Sequence, residues 1–464
     1  MNLKRWVSTM LGFSAFLAVA AGAAPKPPAP VVEAEEEVYR YTSADNGAGP
    51  LWCKGSTCIV RIGRDVFVSG LETIPDLKPL NNVRWLLFRR TDTGWELQQR
   101  DSGRTREPCP LAGFPDGRLF LSVNPTLTEP NTYNGPARPK VLEFAAADPR
   151  APFRELSPVW TDSPKFTEHS YRGLAADGRN GELLALNILG HAAQYWSFRD
   201  KTGRWVAHGI LDFPMGVDYE KPEPIRLCYP VIALRDRAAY VLAISDIVEP
   251  VSAWRQFKRE LTHQEWDYDF RRLFFTWTPD ILTKPFAPWT EIASREKTCG
   301  HIDNLDIWLS PRGAAHFLWQ ETSLDSRLRE KFFPGERLTY ALRHCVVREG
   351  QVVEQYTLVE AGEGGSNEIP GVGRFQATPD GRLFVFYYCS GSDAAGKPIS
   401  ENRLMQIRPG GKHGEPVRIP LAHPFSSFMT ATPRGGSPPS RTLEVLGNSP
   451  IEPLTMRYAR LRLP

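Results

Sequence analysis

A short turn motif recurs along the chain and constrains its fold more than any other feature of the sequence. In its clearest copy, at 377–388, Pro379, Asp380 and Gly381 form a tight turn between two apolar segments. Proline presets φ at the first turn position, aspartate bonds to its own backbone, and glycine accepts positive φ. The β-branched and aromatic residues that follow are typical of a buried strand. The motif therefore predicts a β-hairpin.

Seven copies of this hairpin occur in the 464-residue chain. Their turns recur at intervals of roughly 50 to 80 residues, which leaves room for four-stranded propeller blades with some insertions. The segment 37–41 is expected to supply the outer strand of the last blade, which closes the ring and hides both sheet edges. We predict one seven-bladed β-propeller over 38–464, with six blades or two packed β-sandwiches as alternatives. The seven turns centre on Gly63, Gly117, Gly178, Asp236, Gly313, Gly381 and Gly435.

The N-terminus has the pattern of a secretory leader. Two basic residues precede the apolar run 7–20, and small residues follow it up to Ala23. This arrangement is typical of a signal peptide, here 1–23, that is cleaved near Ala23. The Pro/Ala/Glu-rich segment 24–37 is expected to be a flexible spacer. We therefore predict a secreted or periplasmic protein, without a transmembrane segment because no apolar run is long enough.

The charge balance argues against one class of partner. The net charge of +3 includes two cations of the leader, so the mature chain is almost neutral. A neutral chain offers no electrostatic basis for binding nucleic acid. The abundance of Trp and Phe suits stacked sheets or a sugar-binding face. The protein is expected to act as a monomer with a polysaccharide or other glycan as its partner.

All seven cysteines follow the leader, and disulfides persist in exported proteins. Cys53 and Cys58 close a short loop and are predicted to pair. Cys228 and Cys299 are expected at similar depth on neighbouring inner strands, which predicts a second bridge. No Cys-x-x-Cys occurs, so a cysteine zinc site is not expected.

A propeller brings distant residues together at one end of its central channel. The first strand of each blade lines the channel, and the residues just before these strands converge. Two long insertions, 246–272 in blade four and 324–337 in blade five, are predicted to emerge at that end, where binding loops usually lie. The residues predicted to be catalytic are His169, Tyr171, Tyr229, His301 and Glu321, and those predicted to bind substrate are Arg172, Arg226, Asn304, Asp306, Arg374 and Tyr388.

The same cluster has a structural alternative. Charged groups are seldom buried unless they are paired or functional. Arg172 and Arg226 could pair with Asp306 or Glu321 and simply plug the channel. A solvent-open pocket among these residues would favour an enzyme, whereas a channel filled by Arg–carboxylate pairs would favour a scaffold.

The hairpins that end in Asp-Gly-Arg, with aromatic-rich second strands, resemble secreted propellers of the sialidase-like, BNR-repeat superfamily. The turns 199–205 and 91–95 are similar to its Asp-box, Ser-x-Asp-x-Gly-x-Thr-Trp, although residues are gained or missing between Asp, Gly and Trp. Members include sialidases, other glycoside hydrolases, polysaccharide lyases such as ulvan lyases, and non-catalytic binders. The resemblance implies a glycan ligand in the central funnel.

The sialidase activity that this resemblance implies needs three arginines and a tyrosine–glutamate pair. Arg172, Arg226 and Arg374 could hold a carboxylate, with Tyr388 and Glu321 as the pair. The superfamily's Arg-Ile-Pro element is absent from the start of the propeller, because the sequence Arg-Ile-Pro at 418–420 falls near the end. This departure counts against a true sialidase.

Two other reactions suit different residues. A lyase neutralises a uronate carboxylate with His or Arg and removes the C5 proton with Tyr or His. Hydrolysis instead uses two carboxylates that flank the bond. The lyase set, which resembles that of ulvan lyases in residue type and position, is His169, Tyr171, Arg226, Tyr229 and His301, and the carboxylate candidates are Asp246, Asp303, Asp306 and Glu321.

No cofactor is expected, and the one metal site that the residues suggest is calcium near Asp303 and Asp306. Their spacing matches no known calcium loop. The sequence also lacks a Ser-centred elbow, a phosphate-binding Gly loop and His-Glu-x-x-His. The leading hypothesis is an exported propeller that binds an acidic polysaccharide in its funnel and is a candidate to cleave it, as hydrolase or lyase. The alternative is a non-catalytic binding or assembly module at the cell envelope.

Overall fold

The computed structural model describes residues 29–464, which fold almost entirely into antiparallel β-sheet. Seven four-stranded sheets are arranged as the blades of a propeller, which confirms the predicted fold. The predicted leader, 1–23, and the start of the predicted spacer lie outside the described residues. Within 29–464, no helix is both long and apolar enough to cross a membrane.

The strands are numbered β1–β32 in chain order, and each blade runs from an inner strand at the channel to an outer strand. The first strand, β1 (Val31–Arg40), belongs to the last blade. Blade one contains β2 (Ile59–Ile62), β3 (Asp65–Thr73), β4 (Val83–Thr91) and β5 (Gly94–Arg100). Blade two contains β6 (Leu111–Gly113), β7 (Arg118–Val123), β8 (Lys140–Ala145) and β9 (Arg154–Leu156). Blade three contains β10 (Gly173–Asp177), β11 (Glu182–Leu189), β12 (Ala193–Arg199) and β13 (Trp205–Asp212).

Blade four follows a two-stranded ribbon and carries the first insertion. The ribbon is β14 (Met215–Gly216) with β15 (Glu223–Pro224). Blade four contains β16 (Leu227–Arg235), β17 (Ala238–Ser245), β20 (Arg272–Thr278) and β21 (Thr290–Ser294). Its insertion contains β18 (Ile247–Val248), helix α1 (Ser252–Thr262) and β19 (Tyr268–Asp269).

The last three blades complete the ring. A 3-10 turn, Glu296–Thr298, precedes blade five. Blade five contains β22 (His301–Leu309), β23 (Ala315–Thr322), β24 (Thr339–Arg348) and β25 (Gln351–Gly362), with helix α2 (Arg329–Phe332) inserted after β23. Blade six contains β26 (Glu368–Ala377), β27 (Leu383–Ser392), β28 (Pro398–Ile407) and β29 (Val417–Ile419). Blade seven contains β30 (Ser427–Thr430), β31 (Thr442–Ser449) and β32 (Glu452–Arg462), with β1 outermost.

The N-terminal strand closes the ring, as predicted, but it begins earlier than expected. Strand β1 pairs with β32 from Val31 opposite Arg462 to Arg40 opposite Thr455. Residues 31–37, which were expected to belong to the spacer, are therefore part of the sheet. Carboxylates anchor this segment: the side chain of Glu35 accepts a hydrogen bond from the backbone N–H of Ala422 at 2.9 Å.

The recurring turn behaves as its residue types require. In blade six, Gly381 has φ 81°, a conformation that glycine adopts without steric cost. Its N–H donates to the carbonyl of Thr378 at 3.0 Å, and the N–H of Thr378 donates to the carbonyl of Arg382 at 2.9 Å. The bend lets the apolar strand β27 pair with β26 along the inner side of the blade.

Apolar clusters lie between neighbouring blades and hold the ring together. Between blades four and five, for example, Tyr240 and Leu242 pack with Ile307 and Phe317. Between the last and first blades, Leu446 and the other blade-seven residues pack with the residues of β2 and β3. Because the apolar contact is continuous around the ring, each blade is stabilised by both of its neighbours.

The two insertions lie at the same end of the channel and touch each other. Both follow the second strand of their blades, as predicted. The rings of Trp254 and Phe333 have centroids 5.3 Å apart, and those of Phe257 and Phe332 are 5.7 Å apart. The insertions therefore form one continuous wall beside the channel mouth.

The predicted disulfides are wrong. All seven cysteines lie in the described part of the chain, and each is a free, buried thiol. The sulfur of Cys53 lies 3.7 Å from Glu107 Oε2, whereas that of Cys58 lies 3.8 Å from the carbonyl oxygen of Cys109. Cys228 lies beside Asp246, and the sulfur of Cys299 is 3.1 Å from Arg271 Nη1. The members of each predicted pair thus contact different partners.

Candidate functional site

Four aromatic rings meet at the mouth of the channel, and we call them the ring cluster: Trp52, His169, Tyr171 and Tyr229. Trp52 comes from the loop before β2 and lies at the centre of the group. Its ring stacks on Tyr171 with centroids 4.8 Å apart and 18° between the planes. The centroid of the His169 ring is 5.6 Å from that of Trp52, and the Tyr229 ring meets Trp52 edge-on with centroids 5.3 Å apart. These rings form an aromatic floor at the mouth.

The backbone under two of these rings is strained. Tyr171 has φ 38° and Tyr229 has φ 47°, in the left-handed region that residues with a side chain seldom adopt. Such strain persists only where the surroundings impose it, and it is common at functional sites. Here the loop at Gly55 lies so close that a Cβ on this residue would be 2.3 Å from the carbonyl oxygen of Pro230. Close loop packing therefore holds Tyr229 in place.

A buried carboxylate orders the polar groups beneath the rings. Asp246 Oδ2 accepts hydrogen bonds from the Tyr171 hydroxyl at 2.9 Å and from Arg226 Nη2 at 2.5 Å. Arg226 Nε also donates to the Asp246 carbonyl at 3.0 Å, and Nη1 lies 3.2 Å from His191 Nε2. Burial raises the pKa of Asp246 and that of Tyr171. The arginine is thus fixed with one edge towards His191.

A cavity of about 320 Å³ opens among these groups. Its titratable lining consists of His169, His191, Tyr171, Arg226 and Glu168. Burial lowers the pKa of His169 to about 3, with further lowering by the charge of Arg106, so the ring is neutral. His169 Nε2 has no hydrogen-bond partner in the described part of the chain. Buried polar atoms without partners are uncommon and require an explanation such as a bound ligand or water.

Deeper in the channel lies a group that we call the plug: Asp306, Arg374 and Arg434. Asp306 accepts hydrogen bonds from Arg434 Nε at 2.8 Å and from the backbone N–H of Phe375 at 2.9 Å. Arg374 donates to the carbonyls of Leu305 and Lys54, and its burial lowers its pKa to about 10. These side chains are almost completely buried. Asp306 and Arg374, both predicted to bind substrate, therefore lie among protein groups below the cavity.

Two further predicted ligand contacts support the site from behind. Arg172 is buried and donates to Ser170 Oγ at 2.9 Å and to the carbonyl of Pro108 at 2.7 Å. Asn304 Nδ2 donates to the carbonyl of Tyr229 at 2.7 Å. Both side chains fix backbone next to the ring cluster, which makes them positioning residues.

Three other predicted residues lie away from the cavity. His301 is half exposed, with Nε2 3.6 Å from Asp303 Oδ1. Glu321 forms ion pairs with Arg295 and Arg343. Tyr388 lies in the contact between blades six and seven, and its hydroxyl is 2.8 Å from Ser400 Oγ. The structure thus brings together His169, Tyr171 and Arg226, with Tyr229 packed on Tyr171, and leaves these three outside.

The carboxylates considered for calcium or for hydrolysis are already paired with cations. Asp303 bonds to Lys54, which also lies 5.5 Å from the centroid of the Tyr229 ring. Asp306 is held by Arg434, as described above, and Asp246 by Arg226. Residues bound in this way do not fit a calcium site, which needs several free oxygen ligands.

A second buried ionic group anchors the blade-four insertion. Lys258 of α1 donates to Glu249 at 2.8 Å and to Asp269 at 3.0 Å, and Arg271 Nη1 donates to Glu249 at 2.8 Å. Glu249, Asp269 and the Cys299 thiol are close enough to share a metal ion. The two cations already neutralise these carboxylates, which makes the group a structural clamp.

Sequence reasoning missed three residues of the mouth: Trp52, His191 and Glu168. Trp52 lies before the first blade, whose entry segment offered no comparable cluster of His, Tyr and Arg. His191 follows the end of β11, the second strand of blade three. The rule that pointed to the ends of other second strands could therefore have found it. Glu168 precedes His169 directly, and its Oε2 accepts the Gly135 N–H at 3.0 Å.

Comparisons with known proteins give little beyond the fold. No family model matches the chain, and no curated protein matches it in sequence. Among solved structures, the chain is similar to an α-L-arabinanase from Penicillium chrysogenum, at 13% identity over 94% of this chain and 99% of that one, with TM-score 0.43. It is also similar to a protein of unknown function from Dyadobacter fermentans, at 11% identity over 94% and 100% of the chains, with TM-score 0.45.

A third similar structure is the α-L-arabinofuranosidase Arb93A from Fusarium graminearum, at 12% identity over 88% of this chain and 98% of that one, with TM-score 0.42. At such identities and scores, no argument about activity rests on these likenesses. The class of protein is a seven-bladed β-propeller. The sialidase-like, BNR-repeat relationship stays a prediction.

Proposed function

We propose that this protein is an exported enzyme that binds an acidic polysaccharide at the channel mouth and cleaves it by β-elimination. The observation that carries the proposal is the cavity in which His169, His191, Arg226 and Tyr171 face one space, with His169 Nε2 unpartnered. Imidazole, guanidinium and phenol are the groups that elimination beside a carboxylate requires.

The residues divide into three roles in this reaction. Arg226 and His191 receive the uronate carboxylate and lower the charge that develops when the C5 proton leaves. His169, whose Nε2 has no protein partner at the cavity among the described residues, accepts that proton. The bond from C4 to the bridging oxygen breaks, and the electron pair of the C5–H bond forms a C4=C5 double bond. The released oxygen takes up a proton from water, and His169 returns the proton it accepted to water. Tyr171, which is stacked on Trp52, lines the cavity beneath the sugar ring.

The lining of the cavity favours elimination over hydrolysis. Hydrolysis by the common route needs two carboxyl groups on either side of the bond. In the described part of the chain, Glu168 is the one carboxylate that lines this cavity. Asp246 lies behind Tyr171 and Arg226, and both of these side chains already bind it.

A broad screen of acidic and neutral polysaccharides tests the proposal. The purified mature protein is incubated with each, and new reducing ends and the absorbance of unsaturated uronates are measured together. Elimination gives both signals, whereas hydrolysis gives reducing ends alone. Absence of both signals with every acidic polysaccharide would contradict the proposal. Export is tested separately, by the intact mass of the secreted chain, which is expected to begin after Ala23.

A non-catalytic binding module is the second candidate, and the plug is the observation that favours it. The Asp306–Arg434 pair fills the channel below the mouth with satisfied protein contacts, as a scaffold requires. In the same screen this candidate predicts that a glycan binds while neither signal appears.

A further inference from the structure

A second cavity, of about 640 Å³, opens between blades five and six near the hairpin turns, at the end of the channel opposite the mouth. We call it the blade-five cleft. One wall is the side of blade five, and the other is formed by the turn at 379–381 and the chain that follows β28. None of the residues discussed for the mouth lines it.

Four rings cross the blade-five wall, one on each strand: Trp308, His316, His344 and Tyr356. The centroids of successive rings are 4.9, 5.2 and 6.0 Å apart. Trp308 stands opposite His316 across the β22–β23 pair, and His344 opposite Tyr356 across the β24–β25 pair. Where blade six packs against blade five, leucines cover the face of blade five. At the cleft, a row of large amphipathic rings covers this face instead.

The two histidines present a hydrogen-bond donor. Burial lowers the pKa of His316 to about 3 and that of His344 to about 4, so both rings are neutral. His316 Nδ1 lies 3.0 Å from His344 Nε2, and one proton lies between them. His344 Nδ1 is buried without a partner, and a lone pair is cheaper to leave unpaired there than an N–H. This assigns the shared proton to His344 Nε2, and His316 therefore carries its own proton at Nε2.

Three cations stand at the rim of the cleft: Arg312, Arg348 and Arg408. All three are exposed, and none forms an ion pair with any residue of 29–464. The nearby acids are occupied, since Asp380 binds Arg441 at 2.9 Å and Glu354 accepts the Tyr356 hydroxyl. The cleft therefore offers aromatic surface, one neutral donor and uncompensated positive charge.

We propose that the blade-five cleft is a second saccharide site, which holds an acidic oligosaccharide without cleaving it. The apolar faces of sugar rings pack on Trp308 and Tyr356, and carboxylates accept hydrogen bonds from Arg348 and Arg408. His316 Nε2–H donates to a hydroxyl or ring oxygen. The class of ligand, an acidic saccharide, rests on the proposed function. The place of binding rests on the residues of the cleft alone.

Binding of an oligogalacturonate, measured by calorimetry, tests the inference. The background is His169→Gln, so that the ligand is not cleaved at the mouth. The isotherm is expected to show two sites, one at the mouth and one at the cleft. Adding Arg348→Ser and Arg408→Ser is expected to raise the Kd of one site about tenfold or more, through the loss of two charge-assisted contacts, and to leave the other site unchanged. The matched control is Arg64→Ser, an exposed arginine at the corresponding turn of blade one, which is expected to leave the Kd unchanged.

Unchanged binding in the Arg348/Arg408 variant would overturn the inference. So would equal binding of an uncharged galactan oligosaccharide, or binding of adenosine monophosphate in place of the oligogalacturonate. The two proposals fail separately. Cleavage by the wild-type protein, together with a single binding site in the His169→Gln background that the Arg348 and Arg408 substitutions leave unchanged, removes the cleft alone. A binding site that these substitutions weaken, without any cleavage by the wild-type protein, removes the mouth reaction alone.

Discussion

The mouth and the plug both combine arginine with a buried carboxylate in the channel, yet they differ in whether an open volume adjoins their unpartnered polar atoms. In the plug, both oxygens of Asp306 accept hydrogen bonds, from Arg434 and from the Phe375 N–H, and Arg374 Nε, unpartnered within 29–464, is enclosed by protein. At the mouth, His169 Nε2 has no partner, and the strained Tyr171 lines the same cavity. Charge alone therefore does not locate a site in a propeller channel; incomplete pairing beside an open volume does.

The largest expected effect separates the plug from surface ion pairs. Asp306→Asn leaves Arg434 buried beside a neutral partner, and we expect the free energy of unfolding to fall by about 3–5 kcal/mol. The control is Asp65→Asn, which breaks a partly exposed pair with Arg89 at 2.8 Å and is expected to cost at most about 1 kcal/mol. Urea denaturation gives both values. Equal losses in the two variants would show that the buried Asp306–Arg434 pair contributes no more to stability than a partly exposed pair.

The next prediction concerns the mouth. His169→Gln removes the proposed base, and kcat on a cleaved polysaccharide is expected to fall about a hundredfold. Unfolding should change little, because the replaced imidazole has no hydrogen-bond partner at Nε2. His413→Gln, at an exposed histidine in blade six, is the matched control. Full activity of the His169 variant would assign proton removal to another group.

Gly55→Ala tests whether the loop before β2 holds the ring cluster. The added Cβ would lie 2.3 Å from the Pro230 carbonyl oxygen and 2.6 Å from that of Tyr229. We expect a loss of about 1–3 kcal/mol in the free energy of unfolding, together with reduced activity, because the backbone must move. Gly49→Ala lies in the same loop with nothing within 4 Å of the new atom. If both variants behave alike, the loop does not position Tyr229.

The last prediction is a pH dependence of stability. Burial holds the pKa of His169, His316 and His344 below the ordinary value of 6.5. The unfolded chain therefore binds more protons than the folded one as pH falls from about 6.5 towards 4. Stability is therefore expected to decline as pH falls through this range, because each proton that the unfolded chain takes up favours unfolding.

Replacement of the stacked pair sharpens this prediction. His316→Gln with His344→Gln should flatten the decline measured by urea denaturation at successive pH values, whereas His413→Gln should not. A slope that is the same in all three proteins would show that the two imidazoles titrate alike in the folded and unfolded chains.

The fold was accessible from the sequence because its signal is local and repeated. A turn such as Pro379-Asp380-Gly381 is specified by three adjacent residues, and seven copies define the blades. The closing strand was also predictable, since blade seven needed an outer neighbour. Its start at Val31 was missed because the acids of 31–37 pair with groups far away in sequence, such as the backbone of Ala422.

The site was only partly predictable, for a physical reason. Sequence placed His169, Tyr171, Arg226 and Tyr229 at the channel end, but partners decide which side chains stay available. Asp306 binds Arg434, which is 128 residues away. Nothing in the sequence around either residue predicts this pair. The disulfide prediction failed in the same way, because the direction of a cysteine side chain depends on contacts such as that of Cys53 with Glu107.

The most direct test of the account compares His169→Gln with Asp306→Asn in one assay. The folded fraction of each variant is measured first, and the formation of unsaturated uronate is then expressed per folded molecule. We predict that His169→Gln stays folded and loses its activity, whereas Asp306→Asn is destabilised but keeps near wild-type activity per folded molecule. The opposite pattern, a stable Asp306 variant without activity and a fully active His169 variant, would place the chemistry in the plug and contradict the account.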